Sequence, residues 1–261
     1  MERSLKINLI QTDTIWENIG ANLKNLSSKI DGLKEETDVI ILPELFTTGF
    51  TMEADGVAEG MDGKGVHWML DMAEKRKCVV MGSLLIRESN HYFNRLVVAF
   101  PDRRIQHYDK RHLFSFAGEE KVFLAGAHRL VFEYKGFRIC PLICYDLRFP
   151  VWARNTESID LMIFVANWPN ARMLAWDNLL RARAIENLCY VIGVNRVGVD
   201  NNNLIYTGHS AVYDAMGATL VESEPSNEGI YSTEINKSHI EAVRKKFSFL
   251  NDRDEFKIKL D

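Results

Sequence analysis

The chain has 261 residues, 46% hydrophobic and 26% charged, an ordinary globular composition with enough apolar material for a large core. Its formal charge of −4 argues against a broad nucleic-acid-binding surface, which needs a basic excess. No apolar stretch approaches membrane-spanning length, and the start, Met1-Glu2-Arg3-Ser4, has no signal-peptide core. Cys78, Cys140, Cys144 and Cys189 lack paired CxxC spacing, which disfavours zinc ligation and a disulfide framework. A cytoplasmic protein with reduced thiols is expected.

Leu5 to Thr12 reads as a strand, and a helix is expected from about Trp16, with Ile19, Leu23, Leu26, Ile30 and Leu33 on one apolar face. Val39-Ile40-Ile41-Leu42 is a continuous apolar run, the pattern of a strand covered on both faces, and Pro43 ends its pairing. Glu44 therefore falls just past a strand end, where α/β proteins place chemistry. After a Gly- and acid-rich loop (49–65) and a short amphipathic helix, Cys78–Ile86 and Tyr92–Phe100 predict a hairpin. Arg104–Tyr108 reads as a strand leading to Lys110. Leu130–Tyr134 and Phe137–Ile143 predict a second hairpin, with Cys144 at the end of its second strand. A strand over Asp160–Val165, a helix over Leu174–Asn187 and a strand over Tyr190–Asn195 follow, then strands near 210–213, 218–222 and 229–234. Ser238 with Glu241 has the spacing of a capping box opening a terminal helix. The remainder, from about 248, reads as a tail whose Phe249, Leu250 and Phe256 are either solvated or docked on a partner. Strands and helices alternate but hairpins interrupt the parallel logic, so mixed sheets with helices outside are expected, in a single domain over 1–261.

Cys144 ends an apolar strand and is followed by an aromatic, an acid and a base, Tyr145-Asp146-Leu147-Arg148. That context suits a nucleophile: the strand fixes the backbone and the turn exposes the sulfur and the next N–H groups. The plainer reading is a buried structural cysteine. Glu44 and Lys110 alone read as solvated charges. The three together are sharper, because each follows a strand.

Leu42-Pro43-Glu44, then Tyr108-Asp109-Lys110-Arg111-His112-Leu113-Phe114, then Cys144-Tyr145-Asp146-Leu147-Arg148-Phe149-Pro150, resembles the nitrilase (carbon–nitrogen hydrolase) superfamily. The similarity extends to Asn167-Trp168-Pro169 and to Arg181-Ala182-Arg183-Ala184-Ile185-Glu186-Asn187. Within the superfamily the chain most resembles bacterial omega-amidases, which hydrolyse the terminal amide of short 2-oxo acids. The resemblance implies a four-layer α-β-β-α sandwich, an α/β fold with two mixed sheets facing each other. It also implies a homodimer, with Phe149, Pro150, Val151 and Trp152 as part of its interface, and no metal or organic cofactor. The implied partner is a small 2-oxo acid amide such as 2-oxoglutaramate or 2-oxosuccinamate. Deaminated glutathione, a nitrile or an N-carbamoyl compound are the alternative substrates.

The chemistry asks for these residue types. A thiol nucleophile splits amide hydrolysis into two steps through a thioester, and a carboxylate in a water-poor pocket can deprotonate the thiol. Cys144 and Glu44 fit those roles. Lys110 and the Tyr145 backbone N–H would hold the oxyanion. The resemblance implies a second glutamate beside the lysine, with Glu119 favoured and Glu120 open. Arg172 is the candidate for the substrate carboxylate, with Trp168, Phe46 and Phe50 as pocket walls. Arg148 is expected to form a structural ion pair with Asp146 or a helix-start acid. Cys140, Cys78 and Cys189 read as packed core. A Cys–His pair using His112, a redox pair of Cys140 with Cys144, and a silent scaffold are weaker rivals.

Overall fold

The computed structural model describes residues 3–259, so Met1 and Glu2 of the expected start and the last two residues of the tail, Leu260 and Asp261, lie outside the described residues. The chain opens with β1 (Ser4–Gln11), α1 (Ile19–Asp31) and β2 (Val39–Ile41). Next come α2 (Lys64–Arg76), the long hairpin of β3 (Val79–Glu88) and β4 (His91–Ala99), and β5 (Ile105–Asp109). The second hairpin is β6 (Phe132–Tyr134) and β7 (Phe137–Ile143), followed by β8 (Leu161–Ala166), α3 (Met173–Asn187) and β9 (Tyr190–Asn195). A small hairpin of β10 (Val197–Val199) and β11 (Ile205–Thr207) precedes β12 (Ala211–Tyr213), β13 (Thr219–Glu222), β14 (Gly229–Asn236) and α4 (Lys237–Lys246).

Two mixed sheets result, ordered β14-β1-β2-β3-β4-β5 and β13-β12-β9-β8-β7-β6. Each has a parallel centre, β1-β2-β3 in one and β7-β8-β9 in the other, with antiparallel strands outside. Strand alternation explains the layering. Leu5, Ile7, Leu9, Val39, Ile41, Val79, Met81, Leu96 and Val98 pack with residues of β7, β8 and β9 between the sheets. The intervening Ile40, Val80, Val97 and Ala99 pack with Leu26 and Ile30 of α1 and Val66, Met69 and Ala73 of α2. α3 covers the second sheet so closely that a Cβ on Gly193 would lie 2.7 Å from the Trp176 ring. The sandwich is the fold that the sequence implies.

Boundary expectations differ at a few places. Trp16 precedes α1, which starts at Ile19 with Asn18 Oδ1 accepting the Ala21 N–H at 3.0 Å. α4 starts at Lys237 with Asn236 in the capping position and no side-chain cap bond there, so the expected capping box at Ser238 falls inside the first turn. The β10–β11 hairpin has no counterpart in the sequence reading, because its strands are short and the loop between them polar. Leu250 packs on its own chain with Phe247, beside Leu188, Ala215 and Val243, while Phe249 and Phe256 are exposed. No helix among the described residues is long and apolar enough to cross a membrane.

Candidate active site

Glu44 follows β2, Lys110 follows β5 and Cys144 follows β7. β3, β4 and β5 pair antiparallel in succession, so β5 runs in the direction of β3 and of β2. Glu44 and Lys110 thus leave the same end of one sheet, and Cys144 comes to them from the other. Two sharp turns aim the groups. Leu45 and Cys144 have φ of 45° and 44°, a left-handed conformation that costs a non-glycine residue about 1–2 kcal/mol. Cys144 heads a 3-10 turn over Cys144–Arg148, whose opening N–H groups have no partner inside it.

The charged groups form one buried cluster: Glu44 and Glu119 are 0% exposed and Lys110 1%. Lys110 Nζ donates to Glu44 Oε1 at 2.9 Å and to Glu119 Oε1 and Oε2 at 3.0 and 2.9 Å. Asn94 Nδ2, on β4, donates to Glu44 Oε1 at 2.8 Å and to Glu119 Oε1 at 3.3 Å. The Asn167 N–H donates to Glu44 Oε2 at 2.7 Å, and Asn167 Nδ2 donates to the Glu44 carbonyl at 2.7 Å. Glu119 also accepts the Phe114 N–H at 2.5 Å. Glu120, the neighbouring candidate, is exposed.

Burial alone would lower the Lys110 pKa, but Glu119, Glu44 and Cys144 outweigh it and raise it, so the ammonium keeps its charge. Burial raises the Glu119 carboxyl above its usual range, against the pull of Lys110 and with Glu44 adding to the rise. The Cys144 thiol is pushed well above its usual value, first by burial and next by the charge of Glu44, with Lys110 opposing. A thiol held this way is unreactive until the neighbouring carboxylate takes its proton. Burial pushes Cys78 and Cys140 up to about 12, which suits inert packing residues.

Cys144 opens onto a cleft of about 390 Å³ lined by Lys110, Tyr145, Trp168 and Arg172, with Trp16, Phe50, Phe114, Asn167, Asp200 and Tyr206 among the other walls. Phe50 holds its ring 5.3 Å from Lys110 Nζ. Phe46 is not a wall. It is 1% exposed and packs under the site against Trp68, centroids 5.9 Å apart, because the left-handed Leu45 between Glu44 and Phe46 breaks the strand alternation. Arg148 forms no ion pair with Asp146. That acid is fully committed: Oδ2 accepts Tyr108 Oη at 2.7 Å and the Ile143 N–H at 3.0 Å, and Oδ1 lies 3.0 Å from the His112 nitrogen and 2.8 Å from its Nδ1. Arg148 instead lines the cleft with its guanidinium over Trp168, 4.9 Å from the ring. His112 pairs with Asp146 and stacks on Phe149, centroids 3.7 Å apart, rather than pairing with Cys144. Trp152 is buried and donates to Tyr108 Oη at 3.0 Å, so its side chain belongs to the protomer's interior rather than to an interface.

The sequence reading missed Asn94, the Asp146 hub and the β10–β11 loop. Asn94 had a detectable signal, since a polar amide in the middle of an apolar strand is disfavoured unless it has buried partners. The β10–β11 residues had none, because their place in the cleft depends on a turn.

A profile of the carbon-nitrogen hydrolase family matches residues 6–245. The omega-amidase YafV of Yersinia enterocolitica is 41% identical over 255 residues, spanning 97% of this chain and 98% of the relative. The 2-oxoglutaramate amidase of Bacillus subtilis is 33% identical over 251 residues, spanning 94% and 96%. Among solved structures, the CN-hydrolase superfamily protein XC1258 of Xanthomonas campestris superposes with a TM-score of 0.96 at 45% identity, covering 98% of this chain and 99% of that one. The Saccharomyces cerevisiae protein Nit3, at 24% identity and a TM-score of 0.85 over 94% of each chain, shares the fold. With the family profile over most of its length and relatives this similar end to end, the chain belongs to the carbon-nitrogen hydrolase family and is a hydrolase of carbon–nitrogen bonds.

Proposed function

We propose that the protein hydrolyses the terminal amide of a short 2-oxo dicarboxylic acid monoamide, 2-oxoglutaramate or 2-oxosuccinamate, to the acid and ammonia through a thioester on Cys144. The observation that carries the reading is the buried Glu44–Lys110–Glu119 cluster against Cys144, at the floor of a cleft whose wall includes the acid-free Arg172. Relatives named as omega-amidase and 2-oxoglutaramate amidase, aligned over nearly the whole chain, support the substrate class.

In this mechanism Glu44 takes the Cys144 proton as the sulfur attacks the amide carbon. Lys110 and the Tyr145 N–H hold the oxyanion. Glu119 keeps Lys110 charged and aimed. The tetrahedral intermediate collapses, the C–N bond breaks, and Glu44 gives its proton to the departing ammonia. Water then attacks the thioester and loses a proton to Glu44, the C–S bond breaks, and the sulfur takes that proton back. Arg172 binds the substrate's free carboxylate, a guanidinium fork matching a planar acid, and Trp168 walls the site. The enzyme would work in the cytoplasm, where thiols stay reduced, as a homodimer.

Ammonia release from 2-oxoglutaramate and 2-oxosuccinamate tests the reading, with deaminated glutathione, glutamine and a simple nitrile alongside. Turnover of the 2-oxo amides is expected and is abolished in Cys144→Ala. Preference for deaminated glutathione would move the assignment to that larger substrate, and silence on every compound would sink it.

A further inference from the structure

Beside Lys110 and Arg172 the cleft holds a third cation, Arg148, that the mechanism above leaves unused. Among the described residues, neither Arg148 nor Arg172 has an ion-pair or hydrogen-bond partner for its guanidinium, although both are half-buried. Each lies over an aromatic ring at 4.9 Å, Arg148 on Trp168 and Arg172 on Phe114. The acids nearby do not neutralise them. Asp200 is spent on its own hairpin, accepting the Asn202 and Leu204 N–H groups at 2.8 and 2.9 Å and Tyr206 Oη at 2.8 Å, and Glu53 is exposed at the rim. Their donors reach the open cleft rather than the core, and two such cations side by side suit a ligand with two acceptor groups.

One carboxylate satisfies only one of them in the amidase reading. The other acceptor of a 2-oxo acid is the oxygen on the adjacent carbon. The two arginines hang on one indole: Arg148 lies over the Trp168 ring, and Trp168 Nε1 donates to the Arg172 carbonyl at 2.9 Å. Arg148 also closes the same short turn that Cys144 opens. In a substrate whose amide carbon sits at the sulfur and whose carboxylate is taken by Arg172, the 2-position is the carbon next to that carboxylate, and Arg148 is the remaining cation of the same cleft wall. We infer that Arg148 reads the 2-position of the substrate, donating to a 2-oxo oxygen and repelling a 2-ammonium group, so that it separates 2-oxo acid amides from the corresponding amino acid amides. This inference rests on the amidase reading and deepens it. The same cation that stabilises an oxo dipole meets the ammonium of glutamine with like charge, which is discrimination by repulsion as well as by attraction.

The test compares wild type, Arg148→Gln, Arg148→Lys and Arg172→Gln on 2-oxoglutaramate, on glutaramate, which has no substituent at that carbon, and on glutamine. In Arg148→Gln, kcat/KM on 2-oxoglutaramate should fall about tenfold to hundredfold, the worth of one hydrogen bond to a charged group. On glutaramate it should stay within about threefold, less than that bond supplies, and the margin against glutamine should narrow. Arg148→Lys keeps the charge and should keep the rejection of glutamine. Arg172→Gln should lower 2-oxoglutaramate and glutaramate together. Equal losses on those two compounds in Arg148→Gln, or no loss on either, would overturn the inference. Binding to Cys144→Ala, by calorimetry with 2-oxoglutarate, glutarate and glutamate, needs no turnover. A wild type silent on every amide would remove the amidase reading, while an Arg148-dependent preference for 2-oxoglutarate over glutarate would still decide the role of Arg148.

Discussion

At the residue scale the site works because opposed charges share a dry space. Glu44 and Glu119 flank Lys110, and a lone carboxylate or ammonium there would be costly without its partners. Replacing Glu119 with Gln removes one of the two carboxylates that flank the Lys110 ammonium and should lower kcat by about 10²-fold, the order of a lost oxyanion donor, while Glu120→Gln should match wild type. Steady-state rates of the two variants check this, and equal behaviour would place the second acid elsewhere. Glu44 has a signature of its own. Its charge is the second cause, after burial, of the raised Cys144 pKa. In Glu44→Gln that negative neighbour is gone, so the thiol should titrate at lower pH than in wild type, as followed by thiolate ultraviolet absorbance. Turnover should nonetheless be lost, because the proton acceptor is gone too. A thiol that titrates higher in the variant would contradict the placement. Glu44 and Cys144 were legible because each follows an apolar run, whereas Lys110 follows the mixed segment Ile105-Gln106-His107-Tyr108-Asp109 and stood out through the motif around it. Phe46 was misread for a local reason: a left-handed Leu45 turns its side chain into the core, and no pattern in Leu42-Pro43-Glu44-Leu45-Phe46 announces it. Phe46→Ala should therefore cost about 3–5 kcal/mol of stability in chemical denaturation and leave KM unchanged, whereas a wall residue would raise KM.

At the element scale the question is how segments from different sheets stay in register at the site. Asp146 supplies the link. It lies in the turn that starts at Cys144, yet it binds Tyr108 and His112, on either side of Lys110, as well as Ile143 at the end of β7. Tyr108 Oη extends the link by accepting the Arg111 N–H at 3.1 Å and Trp152 Nε1 at 3.0 Å. Asp146→Asn keeps the volume but turns an N–H₂ group toward donors that face the carboxylate. It should cost about 2–3 kcal/mol, the penalty of leaving a buried donor unpaired, and lower kcat by about 10²-fold through displacement of Lys110 relative to Cys144. A variant with native stability and native kcat would show that the two segments are held by packing alone. The strands themselves were legible from period-two alternation and apolar runs. Asp146 was read as a partner for Arg148 because neighbours in sequence suggest a pair. Its actual partners sit 34 and 38 positions away, at His112 and Tyr108, and such a separation leaves no trace in local pattern. The β10–β11 hairpin was invisible for a related reason: three-residue strands carry too little alternation to register.

At the scale of the whole molecule, the proposed homodimer needs a pairing surface, and the outer side of α3 is the candidate. Leu174 and Ile185 are 79% and 48% exposed and lie three helical turns apart, so both project on one side while Trp176, Leu180 and Ala184 face the sheet. The β12–β13 turn, carrying exposed Met216, sits beside Ile185, since a Cβ on Gly217 would lie 2.7 Å from the Ile185 side chain. Arg183 Nη2 donates to the Leu147 carbonyl at 2.7 Å, and Arg154 bonds the Glu186 carbonyl, which ties this helix to the segment bearing exposed Pro150 and Val151. On the exposed side of α3, Asn178 and Arg181 lie between Leu174 and Ile185, so the apolar side chains are set among polar ones; we propose that this side, with the Pro150–Val151 segment, pairs two copies of the chain. Exposed large apolar side chains rimmed by polar ones mark association sites, and a two-fold dimer needs only one self-complementary patch. Wild type should then sediment at twice the 30.0 kDa chain mass. The double variant Leu174→Glu with Ile185→Glu should sediment at 30.0 kDa, because like charges would meet across the axis. Both side chains point outward from α3, so the substitution leaves the protomer's interior intact, and near-native circular dichroism should separate dissociation from unfolding. A dimer that survives the double substitution would move the interface off this helix. A wild type that sediments as a single chain would mean that this side of α3 stays in water, and the homodimer would fall with it.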